Sequence, residues 1–273
     1  ITPKENESIP ANQDIELSYL LEDFDLRDKL LGTKVTLNGK VVYSADNIPK
    51  DTTVYTSIKH NLPNGGEAKI KIEATDARGA VATKEFTVKI VKINTNLEVS
   101  RTTNAAKPAK VGEPATITYT VKPVNITGDA AKAIKENQVV LSGVQLAETF
   151  PANLEVSAPG KTGSLQAGYA VNHNIGDIVY KKVGDSFVAD PVQFSFTVTP
   201  TEKGTYLLNS SVLKYTDVSN KAIQSAFNSI TIQADVPLKE LTLPGSYEIN
   251  KDSTKNFSLD LKFNPENAGI KEV

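Results

Sequence analysis

Apolar residues alternate with polar ones along most of this chain, and that two-residue period marks strands with one buried face. The clearest run is Val192-Gln193-Phe194-Ser195-Phe196-Thr197-Val198-Thr199, which directs Phe194, Phe196 and Val198 into one core. Ile15, Leu17, Tyr19 and Leu21 alternate in the same way, as do Ile117, Tyr119 and Val121. In Leu37-Asn38-Gly39-Lys40, Asn-Gly stands between apolar runs. That pair predicts a two-residue hairpin turn, because both central positions need φ > 0. Leu37, Phe86 and Phe150 complete the expected core. The chain is thus expected to be all-β: tandem Ig-like antiparallel β-sandwiches, the last one incomplete.

A length of 273 residues predicts two domains or three small ones. Residues 1–13 are polar with two prolines and read as a leader or linker. Residues 14–93 carry about seven short strand signals separated by turns, the arithmetic of one Ig-like or cadherin-like sandwich. The turn Thr75-Asp76-Ala77-Arg78-Gly79 precedes its last strand, with the Asp76 side chain expected to cap the local backbone. Asn94–Asn96 is the expected junction. Residues 97–235 form a larger sandwich with an insertion near 125–140, where Ala-rich Gly128–Gln138 predicts a short helix. Residues 238–273 are strand-like but fall below the roughly 40 residues a unit needs to fold alone. They read as the truncated start of a further sandwich.

The chain has no Cys, Met or Trp and only two His, His60 and His173. Zero Cys excludes disulfides and thiolate metal sites. Few nucleophiles or bases remain, no Gly-x-Ser-x-Gly elbow is present, and no enzyme activity or cofactor is expected. A formal net charge of −2 gives no footprint for nucleic acid, and no apolar run is long enough for a membrane-spanning helix. Glu22, Asp23, Asp25 and Asp28 form an acidic cluster of the hard-oxygen type that suits Ca²⁺. The cluster lacks the glycine and distal glutamate of an EF-hand loop. A solvated loop is the expected reading, with Ca²⁺ as the alternative.

Three pieces resemble bacterial surface modules. Lys110-Val111-Gly112-Glu113 before Ile117–Val121, then Val144–Phe150 leading into Pro151-Ala152-Asn153-Leu154, resembles the conserved repeat domain of bacterial cell-wall proteins. Leu241-Thr242-Leu243, Asn256–Phe263 and Pro265-Glu266-Asn267-Ala268 resemble the start of a group-2 bacterial Ig-like domain. The first unit is similar to Ig or cadherin modules in general. These resemblances imply a secreted or cell-wall-associated protein, Gram-positive in type. Its sandwiches would serve as a non-catalytic stalk or adhesion modules, with a host or cell-surface ligand and other domains of the parent chain as partners. Surface sandwiches of this kind sometimes carry Lys–Asn isopeptide crosslinks beside a buried carboxylate, but the sequence names no such triad. Two alternatives stand: a Ca²⁺-rigidified adhesin, and a glycan-binding accessory module of a larger enzyme with Tyr169 and Tyr180 as its first platform candidates.

Overall fold

The structure, a computed structural model, describes residues 1–25, 30–158, 161–163 and 169–236. The expected third unit at 238–273 and the candidate ligand Asp28 lie outside the described residues. About 64% of what is described is strand and about 3% helix, so the chain is all-β, as its alternation predicts.

Residues up to Val91 supply β1 (Ser8–Pro10), β2 (Ile15–Leu21), β3 (Leu30–Leu37), β4 (Lys40–Pro49), β5 (Thr52–Ile58), β6 (Gly66–Thr75) and β7 (Val81–Val91). They hydrogen-bond in the order β1-β7-β6-β3-β4 in one sheet and β2-β5 in another. Ile15, Leu17 and Tyr19 of β2 pack with Val35, Ile70, Phe86 and Val88 in a single apolar cluster. The buried Tyr19 hydroxyl donates to Thr33 Oγ1 (2.9 Å), which donates to the Glu73 carbonyl (3.1 Å). No polar atom of that chain of bonds is left stranded in the core. The β3–β4 turn has Asn38 at φ 50° and Gly39 at φ 82°, the double positive φ its sequence predicts.

Residues 1–13 correct the expectation of a leader. Thr2 bridges Ser18 on β2, and β1 then pairs in parallel with the end of β7, Ser8 opposite Lys89. The segment thereby crosses from one sheet to the other. Its polar composition hid this, because backbone pairing along an edge needs few apolar side chains, and here Ile9 alone anchors β1 in the cluster.

Beyond the strand-free residues 92–96 the chain continues as β8 (Leu97–Thr103), β9 (Ala109–Lys110), β10 (Ala115–Pro123), α1 (Gly128–Ala133), β11 (Gln138–Phe150), β12 (Leu154–Ala158) and β13 (Lys161–Gly163). It closes with β14 (Tyr169–Val183), β15 (Ser186–Val188), β16 (Val192–Pro200), β17 (Gly204–Leu208), β18 (Val212–Thr216), β19 (Ala222–Ala226) and β20 (Ile230–Asp235). The sheets run β13-β12-β16-β10-β8, β15-β14-β11-β18-β19 and β17-β20-β9. Again a short early strand, β9, lies parallel to the last one, Ala109 opposite Ala234. The second apolar cluster is built around Tyr119, Phe150 and Phe196 and is separate from the first. Phe196 meets Tyr119 and Phe150 edge-on at 5.6 and 5.8 Å, while half-buried Phe194 stacks flat on Tyr119 at 5.2 Å.

The predicted helix is shorter than its sequence pattern. It stops at Ala133 because Ile134 turns extended (φ −84°, ψ 119°) and buries its side chain in the second cluster. Core burial overrides the local helical preference of the residues that follow.

Candidate functional site

Three places in the fold concentrate polar chemistry: the junction between the two clusters, a charged group inside the second, and the acidic loop after β2.

At the junction, α1 lies against β1 and β7 of the first unit. Lys89 Nζ sits 2.9 Å from Asp129 Oδ2, and Lys135 Nζ sits 2.7 Å from Glu7 Oε1. Each pair joins a residue before the 92–96 segment to one after it. The Lys135 side chain holds the Glu7 carboxyl below its usual range, helped by the Lys4 backbone N–H. Lys89 does the same to Asp129, and in return the Lys89 pKa is raised. Beside these pairs Asn12 Nδ2 donates to the Val218 carbonyl (3.5 Å). A polar cleft of about 530 Å³ opens there, lined by Asn12, Asn64, Lys92, Asn96, Asp217 and Lys221 among others. Asp217 Oδ1 is already committed to the backbone N–H groups of Ser219 and Lys221 (2.8 and 2.9 Å).

The second place is fully enclosed. Arg101 on β8 and Glu148 on β11 both have side chains at 0% exposure, and Arg101 Nη1 donates to Glu148 Oε2 at 2.5 Å. The Tyr119 hydroxyl donates to the same oxygen (2.8 Å), and burial together with that carboxylate raises the Tyr119 pKa. Arg101 Nη2 donates to the Leu208 carbonyl (2.6 Å) and Nε to the Asn228 carbonyl (2.7 Å). The Asn228 carboxamide closes the ring. Its Oδ1 accepts from the Arg101 backbone N–H (2.8 Å) and its Nδ2 donates to the Arg101 carbonyl (2.9 Å). Glu148 Oε1 is buried without a hydrogen-bond partner. Glu148 is a buried carboxylate of the kind a Lys–Asn crosslink needs, but Asn228 bonds to Arg101 and not to it. The cation here is a guanidinium, which does not deprotonate to a nucleophile, and among the described residues no lysine is buried.

Sequence reasoning missed this group, although its signal was present. Leu97, Val99 and Arg101 share one parity on β8, and Leu146, Glu148 and Phe150 share one on β11. Period 2 therefore sends both charges inward with their apolar neighbours.

In the acidic loop Glu22 is exposed, while Asp23 and Asp25 are half-buried. Asp23 Oδ1 accepts from the Asp25 backbone N–H (2.9 Å), and Asp25 Oδ2 lies 2.9 Å from Arg78 Nη1. Asp76 caps its own turn, its Oδ1 accepting from the N–H groups of Arg78 and Ala80. Among the described residues no group of three or more His, Asp or Glu is placed to hold a metal ion. The two histidines lie apart. His60 Nε2 donates to the Gln13 carbonyl (2.9 Å) while its Nδ1 accepts from the Leu62 N–H (3.2 Å). His173 packs against Phe194 and Phe196 in the second cluster. Tyr180, expected in a loop as a glycan platform, is instead buried within β14. Burial pushes its hydroxyl up to about 12. Of Tyr169, the first residue of β14, the side chain lies outside the described residues.

No family model matches the sequence, and no curated protein matches it at a significant level. Among solved structures, the chain is similar to the C-terminal domain of the Streptococcus agalactiae antigen I/II polypeptide BspA. The TM-score is 0.43 at 8% identity, covering 84% of this chain and 95% of that one. The C-terminal domain of the Streptococcus pyogenes antigen I/II-family protein AspA gives 0.40 at 9% identity, covering 84% and 95%. A Bacteroides ovatus glucan-utilization protein, SGBP-B in complex with a mixed-linkage heptasaccharide, gives 0.24 at 12% identity, covering 86% and 67%. At these scores the overlaps assign no family.

Proposed function

We propose that the chain is a non-catalytic segment of an extracellular bacterial surface protein, in which the two sandwiches form a stiff spacer for adhesion to a host or cell-surface ligand. The observation that carries this reading is the ion-paired joint. Flexibly tethered domains meet through few fixed contacts, whereas here a helix of one unit is docked on two strands of the other and pinned by Lys89–Asp129 and Glu7–Lys135. The helix comes from the insertion near 125–140, so the extra chain length has a mechanical use. It braces the 92–96 segment against bending.

The test is small-angle X-ray scattering on the chain and on Asp129→Lys/Lys135→Glu. The stalk reading expects one narrow distance distribution for the parent chain. It expects a broader one for the variant, which sets a second cation against Lys89 and a second carboxylate against Glu7. A parent distribution as broad as the variant's refutes the spacer.

A further inference from the structure

We propose that Arg101 and Asn228 form a tension-bearing link that joins the first strand of the second unit to the turn leading into β20 and diverts pulling force away from its interior. The inference rests on the stalk reading, since a spacer between an anchor and a ligand is pulled along its length.

Among the described residues the second unit begins with β8 and its last strand is β20, so force applied at its two ends acts on Leu97 and Asp235. Among the described strands β8 pairs with β10 alone, and β20 pairs with the early part of the unit through the two residues of β9, beside which the Val111 N–H donates to the Asp235 carbonyl. Pulled on those ladders alone, the outer strands would peel off and the core would follow. Arg101 and Asn228 are 127 residues apart in sequence and joined by three hydrogen bonds of 2.7–2.9 Å. The Asn228 carboxamide occupies the outer edge of β8 as a neighbouring strand would, giving one acceptor and one donor to the Arg101 backbone. The guanidinium then returns a bond to the Asn228 carbonyl. A load path from Leu97 to Arg101, across to Asn228 and on to Asp235 bypasses residues 102–227.

The link is rooted as well as short. Arg101 is held at Glu148 on β11 and at Leu208 on β17, so all three sheets of the unit grip the residue that carries the load. Asn228, by contrast, is exposed. Its carboxamide touches the Arg101 backbone and not Glu148, so Asn228→Ala removes two part-buried bonds while the Arg101–Glu148 pair keeps its own contacts.

The experiment is constant-force spectroscopy of the full chain, which has no native cysteine to interfere with handles. Handles on Asn96→Cys and Val236→Cys load the link, while handles on Ala106→Cys and Ala226→Cys, inside it, do not. With the outer handles, Asn228→Ala is expected to shorten the lifetime of the second unit at least about tenfold, the loss of two hydrogen bonds from the barrier. With the inner handles the same substitution is expected to leave the lifetime unchanged. An unchanged lifetime with the outer handles, or equal shortening in both geometries, overturns the link. Either outcome leaves the scattering test of the stiff joint unaffected.

Discussion

Replacing Arg101 by methionine separates the two sides of a buried ion pair. The substitution removes the bonds from Nη1 to Glu148, Nη2 to the Leu208 carbonyl and Nε to the Asn228 carbonyl. Glu148 would keep only the Tyr119 hydroxyl, on an oxygen whose twin already has no partner. Breaking one side of such a pair typically costs about 3–5 kcal/mol, most of it the penalty of an uncompensated buried charge. For a unit of this size that is a fall of roughly 10 °C or more in its melting transition. The double variant Arg101→Met/Glu148→Leu removes both charges and leaves the Tyr119 hydroxyl and the Leu208 carbonyl without these partners. Its expected cost is smaller than the summed costs of the two single variants, because it leaves no uncompensated charge in the core. The assay is urea denaturation followed by circular dichroism, with the second unit's transition fitted separately, because two units do not melt as one two-state system. A double variant as unstable as the sum of the two single variants, or an Arg101→Met loss below about 1 kcal/mol, would refute the assignment of Glu148 as a charged partner held in place by Arg101.

Phe196→Ala, at a fully buried ring in contact with Tyr119 and Phe150, is expected to cost about 3–5 kcal/mol in the same denaturation assay. Wild-type stability would contradict its place at the centre of the core. The joint is expected to loosen in acid: Glu7 and Asp129 have depressed pKa values, so their contribution is complete above the ordinary carboxylate range near about 4 and is lost as pH falls through the lowered values. Scattering curves at pH 7 and pH 3 check this, and identical distance distributions would count against the ion pairs. EDTA is expected to leave both melting transitions in place, because Asp25 is paired with Arg78 and the described residues place no group of three or more acidic or histidine side chains to hold a metal ion, although Asp23 Oδ2 is buried without a partner. A calorimetric drop in EDTA that Asp23→Ala abolishes would restore Ca²⁺ to the acidic loop.

Strand positions were legible wherever burial has a period, as at Ile15–Leu21, Ala115–Val121 and Val192–Thr199. The Asn38-Gly39 turn was legible because one backbone conformation admits few residue types. Pairing partners were not, since nothing in Ser8-Ile9-Pro10 or Ala109-Lys110 says which distant edge will accept it. The charged group was missed for a different reason. Arg101 opens a stretch dense in lysine, alanine and threonine, and composition read over such a window outweighs the parity of one residue. The joint was unreadable because Lys89 and Glu7 are ordinary surface residues until α1 arrives beside them.

In each unit the last described strand pairs in parallel with a short early one, β7 with β1 and β20 with β9. This arrangement imposes an order on folding. Ser8 waits for Lys89 to be made, and Ala109 for Ala234, so neither sandwich completes until its final strand is available. Contacts so distant along the chain make for slow folding. In a chain emerging from its N-terminus, the first unit can close while the second is still arriving. It then presents a finished β1–β7 surface, against which α1 is fixed when Ala131 and Ile134 find their places in the second core.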